Sequence, residues 1–138
     1  ILVTGEVEVT SDRRMKKNMI PLELDLAKRF VHESKPIRFN WKSGDEKTEF
    51  GWEAQQIAKA NFTELVSMTP YPGLEEEIDE DGFISPANIK FSLAPGKVIP
   101  LLTLTTKDLY EQNEEKDRKI AALEERLSAL EELITKLV

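Results

Sequence analysis

The last forty or so residues constrain this chain more than any other part of it. Ile120, Leu123, Leu127, Leu130, Ile134 and Leu137 step by three and four in strict alternation, and no glycine or proline follows Pro100. These are the a and d positions of a heptad repeat. Upstream, the a series runs through Thr106 and Asn113, and the d series through Leu102, Leu109 and Lys116. Lys119 and Arg126 then fall at g, and Glu124 and Glu131 at e. In a parallel pair of helices both g–e combinations join opposite charges. The segment 97–138 is therefore expected to hold one long helix of about 37 residues, roughly 55 Å in length. Its apolar half faces another copy of itself rather than its own domain. Ile at a with Leu at d favours two strands, and Leu127, Asn113 and Lys116 weaken that preference. Periodicity alone leaves the strand number open.

The residues before this helix alternate short elements. Pro21–His32 places Leu22, Leu26 and Phe30 on one helical face. Ser34-Lys35-Pro36 ends it. Ile37, Phe39 and Trp41 alternate with polar residues, and Thr48–Trp52 is the expected partner strand of a hairpin. These aromatics, with Phe50 and Trp52, read as core. Glu53–Ala60 reads as a short helix, followed by an apolar segment at Phe62, Leu65 and Val66, a turn at Tyr71–Gly73 and an acidic run, Glu75–Asp81. Strand candidates follow at Phe83-Ile84 and Ile89–Phe91, and Ala94-Pro95-Gly96 ends the region. At the other end, Ile1–Thr10 (ILVTGEVEVT) has strand alternation but cannot be stable alone. A chain that opens on Ile in this way is expected to be the C-terminal piece of a longer polypeptide. The expected fold class is α+β: a small mixed domain of short strands and helices with a long C-terminal helix.

Composition excludes several chemistries. The 138 residues contain no cysteine and one histidine, His32. Disulfides, thiol nucleophiles, zinc–thiolate sites and two-histidine sites are all ruled out. A net charge of −7 argues against a nucleic-acid surface. No apolar run reaches the roughly 18 residues of a membrane span. Glu77–Ile84 imitates a calcium loop, but position 1 is Glu, position 12 is Asn88, and Pro86 blocks an exit helix. We therefore expect no metal, no cofactor and no small-molecule substrate.

Nucleophilic chemistry is then left to serine. The segment Ser11-Asp12-Arg13-Arg14-Met15-Lys16-Lys17-Asn18 reads in one way as a capped turn with a solvated basic cluster. It reads in another as a Ser-Lys pair. A serine hydroxyl needs a base. A lysine serves as one only where its ammonium is destabilised by burial or neighbouring positive charge. Arg13, Arg14 and Lys17 are the neighbours that would supply it.

SDRRMKKNM, then PIRFNWK, then FGWEAQQI, then GKVIPLLTLTTKDLYEQ, in that order and spacing, resembles the intramolecular chaperone domain of phage tailspikes, tail fibres and neck appendages, the S74 self-cleaving peptidase family. The resemblance runs from Ser11 to the C-terminus. Trp52-Glu53 stands where the family has two apolar residues, and Met15 where leucine is common. The resemblance implies a homotrimer that follows a triple β-helix, holds three chains in register while they wind, and then cuts itself off. It implies a Ser11–Lys16 dyad and a cut between Ser11 and Asp12, with Arg13 and Arg14 as candidate oxyanion or pKa-tuning groups. Residues 1–11 become the end of the fibre, 12–96 the globular chaperone, and 97–138 the heptad helix whose seam is Asn113, Ile120, Leu123, Leu127, Leu130, Ile134 and Leu137. The implied partners are two further copies and the upstream part of its own precursor. The implied place is the host cytoplasm during assembly, with the fibre in the virion and this fragment released. The alternative is a trimerisation or attachment domain of a viral fibre that does not cut.

Overall fold

A computed structural model describes residues 9–138. The strand expected over Ile1–Thr10 lies almost wholly outside the described residues, and Val9 and Thr10 are exposed and irregular. After a single 3₁₀ turn at Arg13–Met15 come α1 (Leu24–Glu33), the antiparallel hairpin β1 (Ile37–Phe39) and β2 (Glu49–Gly51), and α2 (Ala54–Lys59). A 3₁₀ turn at Thr63–Leu65 leads into β3 (Val66–Pro70). A small hairpin, β4 (Glu77–Ile78) with β5 (Ile84–Ser85), precedes β6 (Ile89–Leu93) and the 43-residue α3 (Pro95–Leu137). β6 returns antiparallel to β3, with Met68 opposite Phe91. The described residues thus form a mixed α/β domain of three two-stranded sheets with a long C-terminal helix.

The core is small and sits where α1, α2 and the start of α3 meet. Ala27 and Phe30 from α1, Ile57 from α2, Phe62 and Leu65 from the 3₁₀ turn, and Val98 and Leu101 from α3 are all buried. Phe30 is its centre: its ring meets Phe62 edge-on at 5.3 Å and tilts against Trp52 at 6.1 Å. Phe30→Ala is expected to lower stability by about 3–5 kcal/mol, read as a lower thermal or denaturant midpoint. α2 is tied to the end of α1 by Gln56, whose Nε2 donates to the Glu33 carbonyl while its Oε1 accepts from the Lys35 N–H.

Several elements depart from the sequence reading for identifiable reasons. α1 begins at Leu24 rather than Pro21, so Leu22 lies before the helix and is exposed. The segment around Val66 is a full strand because β6 supplies its ladder from 27 residues away in the register Val66↔Leu93, a pairing no local signal announces. Part of the acidic run is strand, since Glu77 and Ile78 pair with Ser85 and Ile84. α3 starts at Pro95, which takes the first helical position, and leaves Pro100 inside the helix. The four aromatics assigned to the core divide. Trp52 packs against it, whereas Trp41 and Phe50 are 65% and 79% exposed on the projecting hairpin. Two strands alone have no second layer to cover both faces.

The β4–β5 hairpin is latched to α2. Lys59 Nζ meets Asp79 Oδ2 at 2.6 Å and also pairs with Asp81. Asp79 Oδ1 accepts from the backbone N–H groups of Asp81 and Phe83, both at 2.9 Å. The acidic loop is thus organised around a lysine. Lys59 is the main reason that the Asp79 carboxyl sits below its ordinary value of 3.8, with the Phe83 N–H adding to it. A depressed carboxyl stabilises its partners above its ordinary value and releases them as pH falls through the folded one. The Phe83 amide resonance should therefore titrate with a midpoint below 3.8.

Candidate functional site

Two separate places on the chain carry the residues singled out by sequence. The first is the exposed strap ahead of α1. Five extended residues would hold Ser11 and Lys16 about 16 Å apart. The 3₁₀ turn at Arg13–Met15 brings them together instead, closed by Met15 N–H to the Asp12 carbonyl at 3.0 Å and Lys16 N–H to the Arg13 carbonyl at 3.2 Å. Lys16 Nζ then lies 2.8 Å from Ser11 Oγ.

Asp12 makes the turn possible. Its Oδ1 accepts from the Arg14 backbone N–H at 2.9 Å, which is N-cap geometry. The Arg14 side chain returns to the same carboxylate, Nε to Oδ1 at 3.1 Å and Nη2 to Oδ2 at 2.6 Å. The Arg14 side-chain contact, with the backbone N–H behind it, holds the Asp12 carboxyl below the usual carboxylate range; the same contact raises Arg14 further. The segment is a capped turn, and it brings the Ser11 hydroxyl and the Lys16 ammonium within hydrogen-bond distance. Arg13 is exposed at the start of the turn, and Arg14 is engaged with Asp12. Met15, Met19 and Ile20 in the same strap are largely exposed.

The second place is α3, which has two distinct faces. Val98, Leu101, Leu104, Thr105, Asp108 and Gln112 are buried or half-buried, and α1 packs against this half of the helix with a Lys28–Asp108 ion pair at 3.4 Å. The heptad face lies beside it. Ile99, Leu102 and Leu109 are exposed there, and the stripe continues through Ile120, Leu123, Leu127, Leu130, Ile134 and Leu137, each more than half exposed. Docking to the chain's own domain therefore uses one face of α3 and leaves the a/d face open. Every residue from Asn113 onward is exposed, Asn113 and Lys116 included.

What the sequence missed is the clamp that the Arg14 side chain closes on Asp12, and the role of Lys59 as the latch. A Ser-Asp-x-Arg string carries the first signal; the second is a pairing across 20 residues that no local pattern marks. Among the described residues no group of three or more His, Asp or Glu side chains converges in a way that could hold a metal ion.

Comparison with known proteins bears on the strap and on the fold. Residues 11–67, beginning at Ser11, match the S74 peptidase family model, described as chaperone of endosialidase. The fold is shared with a solved structure described as a novel intramolecular chaperon, with a TM-score of 0.54 and 22% identity over 74% of this chain and 99% of that one. No curated protein matches.

Proposed function

We propose that this chain, whose residues 11–67 carry the chaperone-of-endosialidase match, is an intramolecular chaperone that trimerises, registers the fibre ahead of it, and releases itself by cutting between Ser11 and Asp12. The observation that carries the cutting step is the 2.8 Å hydrogen bond between Lys16 Nζ and Ser11 Oγ. The open heptad face of α3 supports assembly of like chains. In this reading residues 1–11 end the fibre, 12–96 form the chaperone body and 97–138 the trimerising helix.

Chain winding explains why such a domain is needed. Three strands wound around one another form non-local pairs with a high loop-closure cost. A slip of one residue turns every apolar side chain to the wrong face. Joining three C-termini through α3 makes the search intramolecular. Removing the tether afterwards leaves the fibre held kinetically. In this reading the work is done in the host cytoplasm during assembly, with the fibre passing to the virion and the fragment left behind.

The cut is a hydrolysis. Ser11 Oγ cannot attack its own carbonyl except through a strained four-membered ring. We assign the attack to a water positioned by Ser11 and deprotonated by Lys16. Water adds to the Ser11 carbonyl carbon, the bond to the Asp12 nitrogen breaks, and that nitrogen takes a proton. The products are a C-terminal Ser11 carboxylate and an N-terminal Asp12 ammonium. General-base work by a lysine requires a site closed to bulk water. On one chain the pair lies open, in the same strap as exposed Met15, Met19 and Ile20. Neighbouring chains of the trimer would cover it, so assembly precedes the cut. Mass spectrometry of the purified wild-type product tests the reading. A fragment beginning at Asp12 is expected, and a chain that assembles but stays whole would reduce it to a plain trimerisation domain.

A further inference from the structure

We infer that Asp12 and Arg14 are a positioning pair for the cut: the capped and forked Asp12 carboxylate holds the turn that carries Lys16 to Ser11. The inference rests on the Ser11–Lys16 reading above. Nothing in the core holds this turn, because none of its residues is buried. A lone 3₁₀ turn of three residues is marginal on its own backbone bonds. The side-chain contacts that fasten it are the Arg14 N–H on Asp12 Oδ1 at 2.9 Å and the guanidinium on both carboxylate oxygens. The same Asp12 supplies the leaving nitrogen. Its carboxylate and the scissile peptide hang on one α-carbon, so clamping the first orients the second against Lys16.

Geometry rather than stability is what this pair contributes. The Arg14 side chain is 84% exposed, and an exposed ion pair contributes little to global folding. Its form is specific, however. Two parallel N–H donors meet two carboxylate oxygens, which a lysine ammonium cannot reproduce. The pair also uses Arg14 in a way that competes with a role as an oxyanion donor or as a free charge tuning the base.

The test follows the rate of cutting in the full chain across pH, beside its light-scattering mass and melting midpoint. Arg14→Ala and Asp12→Ala are expected to slow the cut by roughly 10- to 100-fold at every pH, with the pH midpoint, mass and melting unchanged. Asp12→Asn keeps the cap acceptor and loses the charged fork, so it should fall between wild type and Asp12→Ala. Arg14→Lys should recover only part of the loss. Wild-type cutting by Arg14→Ala would overturn the inference. So would a displaced pH midpoint in Arg14→Ala that Arg14→Lys fully restores, since that marks charge rather than position. Ser11→Ala and Lys16→Ala are run alongside. If both of these still cut, the dyad reading itself falls, and this inference with it. If both stop and Arg14→Ala does not, only the positioning role is lost.

Discussion

Ser11→Ala leaves the chain whole, and Lys16→Ala does the same. This is the largest effect expected of any single change here, because it removes one half of a two-residue device. Losing a positioned general base costs typically 10²- to 10⁴-fold. For a reaction that each chain undergoes once, that separates complete from undetectable conversion. The two losses should not add. Residues that act as a unit are each as damaging alone as together, so the double variant should cut no more slowly than either single one. Neither side chain belongs to the core, and both are exposed, so folding and assembly should be unaffected. Intact-mass measurement reads the result. A fragment beginning at Asp12 from both single variants would end the dyad assignment.

If the chain trimerises as proposed, Leu127→Asp together with Leu130→Asp should leave single chains of 15.8 kDa, a threefold fall in light-scattering mass. Both leucines are more than half exposed on one chain and make no contribution to the domain core. Their burial is expected to occur only between chains, at about 1.5–3 kcal/mol for each side chain covered. Replacing them with carboxylates removes that term in all three helices and adds unpaired charge to the seam. The flanking charges offer little compensation. On one chain Lys119 already pairs with Glu115 at 3.1 Å, an exposed contact worth little. The same variant should remain uncut while its domain still melts cooperatively, because in the proposed reading assembly closes the Ser11–Lys16 pair off from water. An unchanged mass would remove the seam from the proposal. Cutting at the wild-type rate by single chains would separate the cut from assembly.

The long helix was legible because its information is local: a repeat of three and four needs no knowledge of the rest of the fold. The β1–β2 hairpin was legible for the same reason, and Arg38 does face Phe50 across it. The β3–β6 ladder was half hidden. β6 shows apolar alternation, but Val66–Pro70 becomes a strand only because Leu93 and its neighbours arrive to pair with it. The aromatic assignment failed in part for a related reason. Alternation at Phe39, Trp41 and Phe50 marks a strand, but a second layer decides whether a face is buried, and among the described residues Trp41 and Phe50 have none. At the strap, the residue types suggested a serine and a base within reach. The sequence alone did not distinguish an exposed cap from a catalytic turn, because in this chain Asp12 supplies the cap that makes the turn.

The two faces of α3 have a consequence for how such a domain can vary. α1 packs on the first part of α3, with Lys28 on Asp108, and every residue from Asn113 onward is exposed. Whole heptads can be added to or removed from that stretch without disturbing a single packed residue of the body. In the proposed trimer, affinity between chains would then be set by the length of that stretch, open to selection independently of the fold that carries it. A lineage matching the proposed chaperone to fibres of different bulk would lengthen the stalk and leave the rest alone.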